Sequence, residues 1–197
     1  MLVSCELNRA TRDDFLSAAK AALEKEFGER VQPLHSIKVP ERPGAFMSWF
    51  GGRQERQVLV IVGHGTLDTQ SLGGYTAVEV AGHLARQNVG NDQISMIKLY
   101  SCCVGDMKPA LAQNNFAQQF VIELNKPNSL LSGVPVWAPM GLIVIVPTKG
   151  PEGQLRSWDW TVRRSNGNEV TLVQGMIEYK FNAENPGTVQ GYIPPTL

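Results

Sequence analysis

Apolar positions change period from one segment of the chain to the next, and each period predicts an element. Phe15, Ala18, Ala19, Ala22, Leu23 and Phe27 recur at spacings of three and four, which places them on one face of a helix. Thr11 stands where a cap belongs, Asp13 and Asp14 suit the positive end of the helix dipole, and Gly28 stops it. Val31, Leu34, Ile37 and Val39 alternate weakly and predict a strand, whereas residues 40–56, rich in Pro, Gly and Arg, read as a loop. Gln57 to Gly63 is a continuous β-branched and aliphatic run, the mark of a buried strand. Thr76 with Glu79 three positions later has capping-box spacing, and Val78, Val80, Ala81 and Leu84 carry a helix on to about Gln87. Ile94 to Tyr100 is a second buried strand. Two such strands with a helix between them predict a right-handed βαβ crossover and parallel pairing.

Further along, Ala110 to Leu124 predicts a second crossover helix with Phe116, Phe120, Val121 and Leu124 facing inward. Val134–Trp137 and Leu142–Val146 read as strands divided by Pro139 and Gly141. Beyond Pro147, short β-like runs at 155–162, 169–173 and 176–181 are broken by Gly-Pro, Asn-Gly and Glu-Asn-Pro-Gly turn signals, so antiparallel hairpins are expected. The tail from Pro186 reads as coil. The pattern as a whole predicts one α/β domain over residues 1–197: a mostly parallel sheet flanked by helices (about 10–147), a β-rich flap (about 148–185) and a tail (186–197).

Composition narrows the function classes. Hydrophobic residues make up 43% and charged residues 18% of 197, as in ordinary globular proteins. Lys plus Arg and Asp plus Glu are 18 each, so no overall field favours nucleic acid or an anionic membrane. No run reaches the roughly 18 apolar residues of a membrane span, and residues 1–14 do not form a Sec signal peptide. The expectation is a chain made in the cytoplasm that stays there or leaves by a signal-peptide-independent route. Cys5, Cys102 and Cys103 are too few for a disulfide framework and wrongly spaced for zinc, so no metal is expected. His83 in a helix and His35 in the weak strand lack a partner at metal spacing.

The chemistry lies at two strand ends. His64 follows the first buried strand and Cys102 the second, and in a parallel sheet the carboxyl ends of strands share one rim. A thiol must lose its proton to attack a carbonyl, and a neighbouring imidazole can take it. Gly65 after the histidine and Ser101 before the cysteine are small enough for a substrate backbone to approach. The backbone N–H groups of Gly65 and Cys102 are the natural oxyanion donors. Cys103 is the competing nucleophile; Cys102, directly after the small residue, is favoured.

Taken in order, Gly63-His64-Gly65, then Gly74-Tyr75-Thr76-Ala77 with Glu79, then Ile97-Lys98-Leu99-Tyr100-Ser101-Cys102-Cys103 resemble the caspase-like clan of cysteine peptidases. They are most similar to the autoprocessing cysteine protease domain of MARTX and large clostridial toxins, over roughly residues 57–160. That resemblance implies a caspase-like fold, His64 as general base, Cys102 as nucleophile and no obligatory third acid; Asp68 reads as a loop or capping residue. It also implies a polypeptide substrate, the chain itself or a host protein, and a bacterial toxin or effector setting.

In those toxin domains inositol hexakisphosphate is the activator. Lys149, Arg156, Arg163, Arg164 and Lys180 are scattered rather than clustered, a pattern of a solvated face, so no cofactor is expected to be required. Arg53, Trp137, Arg156 and Trp158 are the residues expected to line a substrate pocket. Two further readings stand beside the peptidase: a catalytically weak interaction module on the same fold, and another Cys–His acyl transfer such as deamidation.

Overall fold

The computed structural model describes residues 2–7, 14–28, 30–33, 56–66, 70–106, 115–182, 184 and 189–192. In chain order the elements are β1 (Leu2–Leu7), α1 (Asp14–Phe27), β2 (Gln32–Pro33), β3 (Gln57–Gly63), β4 (Gly65–Thr66), β5 (Ser71–Leu72), α2 (Ala77–Arg86) and β6 (Ile94–Tyr100). There follow α3 (Phe116–Leu124), β7 (Val136–Pro139), β8 (Leu142–Lys149), β9 (Leu155–Arg163), β10 (Glu169–Thr171), α4 (Leu172–Gly175), β11 (Met176–Phe181) and β12 (Val189–Tyr192). Seven strands make the main sheet in the order β12-β11-β7-β6-β3-β1-β2. From β7 to β2 every neighbouring pair is parallel, while β11 and β12 add antiparallel strands at one edge. The fold is therefore the expected α/β class, a mostly parallel sheet with helices against it.

Local sequence explains the helices. Thr76 accepts the Glu79 backbone N–H while the Glu79 carboxylate accepts that of Thr76, the reciprocal pair the spacing foretold. Asn115 and Gln118 repeat the arrangement at the start of α3, later than the expected start at Ala110; residues 107–114 lie outside those described, as do Thr11 and the expected strand residues Leu34 to Val39.

Three features depart from expectation. β1 pairs along its whole length with β3, although Ser4 and Glu6 interrupt its apolar pattern; a ready-made parallel neighbour supplies the ladder that local pattern does not announce. The tail expected as coil contains β12, which pairs antiparallel with β11. The third concerns the hairpins, which divide between two sheets. β8, β9 and β10 form a separate three-stranded sheet that begins at Leu142, whereas β11 and β12 extend the main one. Gly141 makes the exit from β7 possible: its φ is +136°, and a Cβ there would overlap the Arg163 carbonyl.

Two cores result, one on each face of the main sheet. On one, α2 and α3 cover Leu59, Ile61, Ile97, Leu99 and Val136. On the other, α1 and the three-stranded sheet cover Val60, Val62 and Tyr100, with Leu16, Ala19, Leu23, Ile143 and Val162 filling the layer. Alternation along β3 thus sends odd positions to the first core and even positions to the second. In β6 the parity breaks, since Ile94 lies in the same core as Ile97. A bulge at Ser95 absorbs the extra residue: Gln57 pairs with Ile94 but Val58 with Met96.

Candidate active site

β3 and β6 are neighbours whose register pairs Val62 with Tyr100. His64 and Cys102 each stand two residues further on, at the same offset of 38 residues, so both lie at the carboxyl rim. Both keep the parity of Val62 and Tyr100. Cys102 packs against the second core, and so does Phe15, whose ring lies 5.2 Å from the His64 ring. The imidazole and the thiol therefore lie on one face, with α1 and the three-stranded sheet.

Gly65 closes the contact. A Cβ on Gly65 would overlap the Cys102 carbonyl oxygen and stand 2.7 Å from Ser101 Oγ, so only glycine allows the two strand ends this approach. The His64 carbonyl accepts the Gly73 N–H at 2.6 Å, and Gly65 pairs with Leu72 in the small β4–β5 ladder. That ladder fixes the turn carrying the imidazole.

The two thiols differ in surroundings. Cys102 Sγ lies 3.9 Å from the Ile143 carbonyl, to which it donates; burial pushes its thiol up, hydrogen bonding to the Ile143 backbone offsets part of that rise, and the Asp106 charge adds to it. Cys103 has a left-handed backbone (φ +55°) and donates its N–H to the Gly141 carbonyl at 2.8 Å. Its thiol is pushed up to about 12 by burial first and then by hydrogen bonding to the Asp106 carboxylate. Burial likewise raises Asp106 itself. Asp106 is the acid that sequence reasoning passed over; its one signal is that no acid stands nearer to Cys102 in the chain.

The residues expected to line a pocket divide. Arg53 lies outside the described residues, as do Asp68 and His35. Trp137 sits in β7 between Lys98 and Glu178 and packs into the second core. Arg156 and Trp158 line a cleft of about 340 Å³ with Ala22, Lys25, Glu26 and Ser157. Ile143, which holds the Cys102 thiol, pairs with Val162; at roughly 3.3 Å per residue, Trp158 and Arg156 are about 13 and 20 Å further along β9. The structure does not bring these two to the cysteine.

Of the scattered cations, Arg163 pairs with Glu169 at 2.6 Å and Lys180 with Glu178 at 2.9 Å. Among the described residues no group of three or more His, Cys, Asp and Glu is placed to hold a metal, and no helix is long and apolar enough to cross a membrane. His83 lies edge-on to the Tyr75 ring at 5.4 Å.

Comparison with known proteins adds one match. The model of the Peptidase C80 family aligns with residues 50–149, a stretch that contains both His64 and Cys102 and ends with β8. No curated protein matches the chain.

Proposed function

The chain belongs to the Peptidase C80 family and is a cysteine peptidase; on that premise we propose that Cys102 is its nucleophile and His64 its general base. The observation that carries this is the shared register and face of the two residues at adjacent strand ends, with Gly65 pressed against the Cys102 carbonyl. Cys103 is less suited, because its thiol is tied to Asp106 and pushed up to about 12.

The proposed cycle starts with rotation of the Cys102 thiol away from the Ile143 carbonyl. His64 takes the thiol proton, and the thiolate attacks the carbonyl carbon of the scissile peptide bond. The oxyanion that forms is met by the N–H groups of Gly65 and Cys102. As the C–N bond breaks, the imidazolium returns its proton to the departing amine, leaving a thioester on Cys102. Water, deprotonated by His64, attacks the thioester; the acid leaves and the thiol is restored. We further propose that the polypeptide cut is the chain's own or a host protein's, in a bacterial toxin or effector, as the resemblance to the autoprocessing toxin domains implies.

Labelling with a peptide chloromethyl ketone tests the dyad. Wild type should take one equivalent at Cys102, and His64→Ala should lower the rate by about 10²–10⁴-fold, the usual worth of a general base. Cys102→Ala should abolish labelling and cleavage, while Cys103→Ala should keep much of both. Full activity in Cys102→Ala would sink the assignment, and slow labelling of both cysteines independent of His64 would favour a catalytically weak interaction module.

A further inference from the structure

The turn that carries Cys102 is held from below by a buried polar cluster. Gly105, three residues after Cys102, presents its carbonyl to two donors: the Tyr179 hydroxyl at 2.8 Å and Asn115 Nδ2 at 2.9 Å. Asn115 Nδ2 also donates to the Tyr179 hydroxyl oxygen at 3.1 Å, so every proton has an acceptor. Asn115 is 1% exposed and Tyr179 3%; in such dry surroundings these bonds hold position more firmly than they would in water. The orientation of Asn115 is fixed independently, because its Oδ1 caps α3 by accepting the Gln118 N–H at 2.9 Å. On its other side the turn is tied to the β7–β8 junction, through Cys103 N–H to Gly141 and Gly105 N–H to Pro139.

We propose that Tyr179 and Asn115 are positioning residues for the nucleophile, and that β11 is therefore part of the catalytic unit although it lies beyond the residues that match the family. Tyr179 belongs to β11, and the match ends at residue 149. The proposal rests on Cys102 being the nucleophile. By fixing Gly105, the pair fixes the turn that follows β6, and with it the Cys102 Cα and N–H that must meet substrate. A displacement of a few tenths of an ångström there weakens attack and oxyanion binding without changing what the protein can bind.

Tyr179→Phe keeps the ring and removes one hydroxyl; Asn115→Ser keeps a capping oxygen and removes the amide donor. Each is expected to lower kcat on denatured casein about five- to tenfold, the scale of one buried hydrogen bond, with KM within about twofold of wild type. Each should also shift the pH profile of Cys102 alkylation by iodoacetamide, read at the residue by mass spectrometry. Phe120→Leu, a core change in α3 away from the turn, is the comparator: it should lose stability yet keep kcat and the alkylation profile. Wild-type kcat and alkylation in both Tyr179→Phe and Asn115→Ser would overturn the proposal, as would equal losses in Phe120→Leu. The alkylation profile reads the position of Cys102 even if casein is not cut, and equal alkylation of Cys102 in wild type and His64→Ala would count against the dyad alone.

Discussion

Gly65 carries more structural weight than its size suggests. The atom nearest the position of its missing Cβ is the Cys102 carbonyl oxygen, a backbone atom that cannot rotate aside as a flexible side chain could. Gly65→Ala should therefore push the histidine turn away from the cysteine turn. The expected cost is about 1–3 kcal/mol, the range for overpacking a close contact, read from urea denaturation. Loss of His64-dependent labelling at Cys102 should accompany it; an alanine variant with wild-type stability and labelling would show that the contact is dispensable. The sequence displays the glycine after the histidine, but not the atom against which it must fit. The same holds for Cys102 and Cys103, which are equivalent by composition. Their difference lies in a left-handed φ and an aspartate three residues beyond Cys103.

The elements that bear the site were readable because their signals are local. The apolar run of β3, the apolar run of β6 and the Thr76–Glu79 box each depend on residues within a few positions of one another. What local pattern could not show is the bulge in β6, which lets Ile94 and Ile97 reach one core despite their odd separation. Ser95 Oγ donates to the Gln57 carbonyl at 3.1 Å and holds that irregularity. Deleting Ser95 should regularise the pairing and keep Ile94 opposite Gln57, now two positions from Ile97 on the same face, so the loss read from urea denaturation should stay well below the roughly 2–3 kcal/mol of one buried aliphatic side chain. Pairing above the bulge stays in register, so His64-dependent labelling of Cys102 should survive. Loss of labelling in a folded deletion variant would contradict the register as the source of the site.

Across the whole molecule, several buried titratable groups carry shifts of the same sign. Burial raises Tyr100 and Tyr179 from 10.0 to about 12, and with Asp106 raises Cys103 from 9.0 to about 12. A raised value means that the folded chain keeps a proton the unfolded chain gives up. Their contribution is complete below about pH 9 and is lost as pH climbs towards 12. The urea midpoint should hold to about pH 9 and then fall, and Tyr100→Phe and Cys103→Ala should each flatten the decline. A midpoint constant from pH 9 to 11 in wild type would show that these groups ionise freely in the fold.

The sequence by itself determined the βαβ frame, the helix caps and the placing of a histidine and a cysteine at two strand ends, because periodicity, capping and turn chemistry act between near neighbours. Tertiary structure alone decided where β1 and β12 pair, which strands left the main sheet, and why Arg156 and Trp158 line a cleft remote from the cysteine. It also placed Asp106, Asn115 and Tyr179 around the turn that carries Cys102 and Cys103. Those outcomes depend on contacts between residues tens of positions apart, whose register and facing no local pattern encodes.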